Sequence, residues 1–164
     1  MADIKPLNKA LFLTEAELRR GIELLFFAYR DFTTEADDML AEFNLGRAHH
    51  RAIYFIGRHP DMTVSDLLDI LNITKQSLSR VLSHLIAEGY VEQRSGPVDR
   101  RQRLLRLTDK GRTLEQQVTE LQSRRFAKAY TQCGAGAVDG FQRVLSYLLD
   151  DDTLSGFNRD DIQE

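Results

Sequence analysis

The sequence predicts a mainly α-helical chain with one small β-hairpin inside it. Apolar residues recur at three- and four-residue spacing over most of its length. Only after Gly89 does the period fall to two, in YVEQR and RLLRL, which are joined by SGPVDRRQ. Capping boxes, in which a Thr is answered three residues on by an acid, open helical stretches at Thr14 and Thr63.

The first helix is expected over about Thr14 to Phe43, with Leu18, Ile22, Leu25, Phe26, Tyr29, Phe32 and Met39–Leu40 at helical spacing. Gly21 costs it some stability and permits a break. A second helix follows Leu45–Gly46, carries Ala52, Ile53, Phe55 and Ile56, and stops at His59, which Pro60 biases out of the helical region. Thr63 opens a short third helix through Leu71, and Asn72 suits a left-handed turn. Thr74 caps the next, whose Leu78, Val81, Leu82, Leu85 and Ile86 form one stripe, ended by Gly89. Beyond the hairpin, Thr108–Asp109 start a helix with a looser stripe, Leu114, Val118, Leu121, Phe126 and Tyr130. GAG at Gly134–Gly136 breaks it, and Phe141, Val144, Leu145, Leu148 and Leu149 mark the last.

A chain of 164 residues with 42% apolar and 29% charged content is that of a soluble globular protein with one ordinary core. No apolar run is long enough for a bilayer, and MADIKPLNKALFL lacks a secretory signal pattern, so the chain is read as unprocessed and cytoplasmic, with no membrane partner. One cysteine, Cys133, excludes an intrachain disulfide framework and a cysteine zinc cage. The net charge of −3 conceals a layout. Residues 1–44 carry −4 and residues 147–164 carry −5, whereas residues 74–112 carry +5 from nine basic and four acidic side chains. Such asymmetry is an argument about partners, and it points to a polyanion at one part of the molecule. A randomly charged surface is the alternative.

Short helix, tight turn, amphipathic helix and two-stranded hairpin are the order of a winged helix-turn-helix. In the helix after Thr74, the apolar stripe leaves Lys75, Gln76, Ser79, Arg80 and Ser83 on the other side. That donor-rich face suits a major groove, where Arg and Lys pair with guanine and Gln with adenine. Thr74, Ser77 and the helix N-terminus can hold a phosphate. An ordinary solvated helix is also polar on one side, but residues 74–87 contain no acid, where solvated helices usually mix signs. In the hairpin, Gly96 and Pro97 turn the chain and Asp99 can stiffen the tip by holding an Arg or a backbone N–H. Arg100 and Arg101 then project toward a phosphate or a narrow minor groove. Arg103 and Arg106, three apart in a strand, point to opposite faces, so at least one is read as a structural ion-pair partner.

ITKQSLSRVLSHLIAEGYVEQR followed by DRRQRLLRLTDKG resembles the MarR family of bacterial winged-helix regulators. The family's wing signature matches Asp99, Arg101, Leu107–Thr108 and Gly111, and helix order extends the similarity over roughly Thr14 to Leu149. The resemblance implies a homodimer whose N- and C-terminal helices intertwine, with two recognition helices, about residues 74–88, on a palindromic operator of double-stranded DNA. Base reading falls on Lys75, Gln76, Ser79 and Arg80, with Thr74 and Ser77 completing the DNA-binding set of the helix. Wing contacts fall on Arg94, Asp99, Arg100 and Arg101, with the tip at residues 96–102 and Asp99 as brace. The implied organisation is an arm and dimerisation helix over residues 1–44, the DNA-binding lobe over 45–111, C-terminal dimerisation helices over 112–150, and an acidic, flexible tail over 151–164. Leu7, Leu11, Phe12 and Leu13, together with the C-terminal stripe, support dimerisation independently, because they exceed what a small core needs to bury; a larger monomer core is the alternative.

Many relatives respond to small aromatic acids between the dimer helices and the DNA-binding lobe. GRAHHRAIYF lies near that crevice, and His49, Arg51 and Tyr54 are candidates for an anionic or aromatic effector; solvated or dimer-contacting roles are the alternative. His49 and His50 are adjacent and point about 100° apart, a poor chelate. No metal or cofactor is expected. Oxidant-sensing relatives carry a cysteine near the start of the first long helix; Cys133 lies elsewhere and reads as a spectator. The leading function is a DNA-binding transcriptional regulator, read as a repressor. The second is a ligand-sensing or protein-interaction dimer without specific DNA binding. No nucleophile constellation or Gly-rich phosphate loop supports an enzyme.

Overall fold

The computed structural model describes residues 13–153, which divide into two units between Gln122 and Ser123. In the first, α1 (Glu15–Ala41) starts at Thr14, whose Oγ1 accepts the Glu17 N–H at 3.2 Å while the Glu17 carboxylate accepts the Thr14 N–H at 2.7 Å. Gly21 does not interrupt the helix. Then follow α2 (Arg47–Arg58), β1 (Met62–Thr63), α3 (Val64–Leu71), α4 (Lys75–Ala87), β2 (Val91–Ser95), β3 (Arg103–Leu107) and α5 (Asp109–Cys133). Each start and stop has a local cause. Thr63 repeats the reciprocal capping of Thr14 with Asp66, and Asn72 ends α3 in the left-handed region.

The hairpin is part of a three-stranded antiparallel sheet in the order β1-β3-β2. Its main register pairs Val91 with Leu107 and Ser95 with Arg103, and Met62 pairs with Leu105 on the other edge of β3. The two-residue β1 is too short for periodicity to reveal. Leu40, Ile53, Ile56, Leu67, Leu78, Leu85, Val91 and Leu105 are almost fully buried and Met62 of β1 is buried beside them, so each element from α1 to β3 gives the core at least one side chain. Each such burial contributes about 2 kcal/mol.

Leu114 and Val118 belong to this same core. The first turns of α5 therefore pack with the lobe, and the two units part after Gln122. Only Thr33, Ala36 and Leu40 of α1 are buried. Ile22 and Phe26, in its N-terminal half, are 70% and 64% exposed in the single chain.

The second unit holds the end of α5 and α6 (Ala135–Leu148). Gly134, at φ 81°, makes the break between them, whereas Gly136 lies inside α6. Phe126, Tyr130 and Phe141 pack ring to ring at 5.4–6.3 Å and line a cavity of about 200 Å³ with Cys133, whose side chain is exposed. Val144, Tyr147 and Leu148 stand exposed on α6. Asp151–Thr153 form a helical turn. The rest of the expected tail, and the arm residues Leu7, Leu11 and Phe12, lie outside the described residues. Among the described residues no helix is long and apolar enough to cross a membrane.

Candidate nucleic-acid interface

The recognition helix is built outward from Thr74. Its Oγ1 accepts the Ser77 N–H at 3.1 Å and donates to the Ser77 hydroxyl at 2.9 Å, which fixes the first turn of α4. Leu78, Val81, Leu82 and Leu85 bury one face of the helix. Lys75, Gln76, Ser77, Ser79, Arg80 and Ser83 are all exposed, so the residues expected to meet DNA share the side away from the core.

The wing tip occupies residues 96–102, between β2 and β3. Gly96 donates to the Gln102 carbonyl at 3.0 Å, Gln102 donates to the Asp99 carbonyl at 3.1 Å, and the Asp99 carboxylate accepts the Arg101 N–H at 2.9 Å. Asp99 thus closes the turn at both its backbone and its side chain. A Cβ on Gly96 would sit 2.7 Å from the Asp99 carbonyl oxygen, so the turn requires glycine there.

The nine basic residues of 74–112 divide into two sets. Arg94 pairs with Glu92 at 2.6 Å, and Arg103 donates to the Ser95 hydroxyl at 3.3 Å. Arg106 makes a two-pronged pair with Asp61, which raises its guanidinium pKa through hydrogen bonding and then charge. Lys110 donates to the Glu88 carbonyl at 2.7 Å and lies 4.2 Å over the Tyr90 ring. Arg112 donates to the Leu107 carbonyl at 2.8 Å and pairs with Asp109. Five cations are thereby engaged inside the protein. The side chains of Lys75, Arg80, Arg100 and Arg101 have no acidic or hydrogen-bonding partner among the described residues. Those four sit on the first half of α4 and on the wing tip.

The joint behind the wing was less legible. Thr108 Oγ1 donates to the Gly89 carbonyl at 2.6 Å and accepts the Gly111 N–H at 3.0 Å. A Cβ on Gly111 would overlap the Tyr90 carbonyl oxygen, so only glycine allows α5 to start against β2. The signature Thr and Gly are therefore packing residues. Asp61, at φ 67°, also donates its N–H to the Leu105 carbonyl at 3.0 Å. Its part in holding the wing had no signal beyond an acid following Pro60.

Comparison with known proteins agrees with this geometry. The sequence model described as MarR family matches residues 43–102, from the start of the lobe to the wing tip. The HTH-type transcriptional regulator PetP of Rhodobacter capsulatus is 51% identical over 140 residues, 85% of this chain and 84% of that protein.

The chain belongs to the MarR family.

Its structure is similar to that of FabT of Streptococcus pneumoniae in complex with DNA, with a TM-score of 0.72 at 22% identity over 80% of this chain and 94% of the other. It is also similar to a mutant of MarR from E. coli complexed with operator DNA, with a TM-score of 0.64 at 21% identity over 82% and 96% of the two chains. This MarR-family chain is accordingly a winged-helix transcriptional regulator and not an enzyme.

The three effector candidates are not brought together. His49 turns toward α4, where its ring meets that of His84 edge-on at 4.9 Å, and its Nδ1 accepts the Gly46 N–H at 3.0 Å. Arg51 turns toward α1 and donates to the Tyr29 hydroxyl at 2.7 Å, while Tyr54 packs against Phe55. Burial, then the nearby His84, holds His49 below the usual imidazole range; burial does the same for His50, against the opposing pull of Asp37 and Glu115. The Gly46 bond also occupies the lone pair that a second proton on His49 would need. No cluster of three or more metal-ligating side chains forms among the described residues.

Proposed function

We propose that the chain is a repressor that binds a palindromic operator in double-stranded DNA as a homodimer, with α4 in the major groove and the wing tip at the minor groove. The observation that carries this reading is the division of the basic residues. Five of nine are engaged within the protein, and the four without partners among the described residues lie where a helix-turn-helix and its wing would meet a duplex. Arg80, Lys75 and Gln76 supply base-edge donors, Thr74 and Ser77 face a phosphate at the helix start, and Arg101 enters the minor groove. FabT and a MarR mutant, which share the fold, are each solved in complex with DNA, and this supports a DNA partner. Arg94, which pairs with Glu92, serves at the phosphate margin.

The exposed apolar residues of α1 and α6 support the dimer, because Ile22, Leu25 and Phe26, and separately Val144, Tyr147 and Leu148, leave apolar surface that water disfavours. Two copies related by a twofold axis present two recognition helices to two half-sites, which is why the operator is read as a palindrome. Occupation of an operator by such a dimer makes repression the simplest outcome.

For an effector, the α1–α2 junction is better suited than the trio anticipated from sequence. Arg51 bonds the Tyr29 hydroxyl and has no acidic partner among the described residues, whereas Arg47, 5.9 Å from the Tyr29 ring centre, is already paired with Asp37, so Arg51 is the cation an acid would meet beside that ring. A small aromatic acid fits that chemistry.

The test is capture of random genomic fragments by the purified full chain. Recovery of one palindromic sequence is expected; salt-labile capture without sequence preference favours the second reading, a sensing or interaction dimer.

A further inference from the structure

Lys75, Arg80, Arg100 and Arg101 account for charge at the interface, but one residue of the wing tip does something charge does not explain. Val98 is 98% exposed, the most exposed of the large apolar side chains described. An isolated surface valine is ordinary. This one stands at the apex of a loop closed by bonds from Gly96 to Gln102, from Gln102 to Asp99 and from Arg101 to Asp99. Pro97 precedes it, with its own φ fixed by the ring. A β-branched side chain with one restricted torsion, on a loop already rigid, loses little entropy when it is covered. Arg100 and Arg101, whose side chains have no partner among the described residues, follow within three residues.

We infer that Val98 is a specificity-determining contact: it lies on the minor-groove wall and floor beside the Arg101 contact and favours A·T over G·C pairs there. This rests on the DNA-binding reading above. The minor groove offers a valine the sugar carbons of its walls. Over A·T the floor carries acceptors only, whereas over G·C the guanine amino group projects into the groove. Burying a methyl-bearing tip against that amino group removes a donor from water without a partner, which is costly. Arg101 responds to groove width and charge; Val98 responds to the amino group itself. The two therefore separate chemically.

The probe is the genomic fragment recovered by capture. Its wing-contacted steps are located by hydroxyl-radical footprinting and then changed from A·T to G·C or to inosine·C, which has the G·C shape without the amino group. Full-length protein is compared with Val98→Thr, an isosteric change that keeps the loop, and with Arg101→Ala. Wild-type affinity is expected to fall roughly tenfold on G·C and to recover on inosine·C. Val98→Thr is expected to bind the A·T fragment about fivefold more weakly and to discriminate G·C by less than about threefold, at the lower end of single-pair effects. A Val98→Thr chain that keeps the wild-type A·T over G·C ratio overturns the inference while leaving the wing reading in place. Capture without a preferred fragment, or an Arg101→Ala affinity equal to wild type, defeats the wing reading, and the inference falls with it.

Discussion

Arg106 on β3 and Asp61 in the loop before β1 form a two-pronged ion pair across 45 positions of sequence, joined by the Asp61 N–H to the Leu105 carbonyl. The pair ties the root of the wing to the end of α2. It also removes Arg106 from the set of cations available to DNA. Replacing Arg106 by Met is expected to lower the thermal midpoint by a small amount, as exposed pairs do. The salt dependence of DNA binding is expected to stay unchanged, and calorimetry with fluorescence anisotropy measures both.

Gly111 meets the Tyr90 carbonyl without room for a Cβ. Gly111→Ala must push α5 away from β2, and with it the anchoring bonds of Thr108. A loss of about 3 kcal/mol is expected in urea unfolding. A loss below ~0.5 kcal/mol, the range of an ordinary surface change, contradicts the packing role.

Burial, and then His84, holds the His49 imidazole below its usual range. Its folded-state pKa lies below the unfolded one, so the unfolded chain takes up the proton first as pH falls. Stability is therefore full above about pH 6.5, the ordinary imidazole value, and declines below it until the folded form also protonates. Thermal midpoints between about pH 8 and pH 5 should show this decline. His49→Gln, which can still accept the Gly46 N–H from the third helical position, is expected to make it shallower.

Phe26 and Ile22 stand exposed one turn apart on α1. Phe26→Glu is expected to convert the dimer to monomer in analytical ultracentrifugation and to abolish operator binding at nanomolar protein. A monomeric wild-type chain contradicts the proposed assembly.

Much of this fold was legible because its signals are local. Thr14, Thr63 and Thr74 cap the helices where their spacing announced it, and Asn72 and Gly89 adopt the left-handed backbone their residue types favour. The charge layout located α4 and the wing, and the three-residue spacing of Arg103 and Arg106 anticipated an ion pair. What escaped was long-range. β1 has two residues and no period, Asp61 reaches its partner only after the sheet has formed, and α5 spends its first turns in the lobe core. The contacts of His49 with His84, of Arg51 with Tyr29 and of Tyr54 with Phe55 were likewise beyond a reading of spacing, which shows only that Arg51 and Tyr54, three apart, share a helix face.

The division of the basic residues into structural and DNA-facing sets is tested most directly by salt. Log affinity for the captured fragment is measured against log salt concentration for wild type, Arg100→Ala with Arg101→Ala, and Lys110→Met. Two copies of the double variant remove four cations, so the slope is expected to shrink by about 3.6, at roughly 0.9 per phosphate neutralised. Lys110→Met, which loses a cation bound to the Glu88 carbonyl and the Tyr90 ring, is expected to leave the slope unchanged. A double variant with the wild-type slope, or a Lys110→Met slope reduced as much per cation removed, contradicts the division.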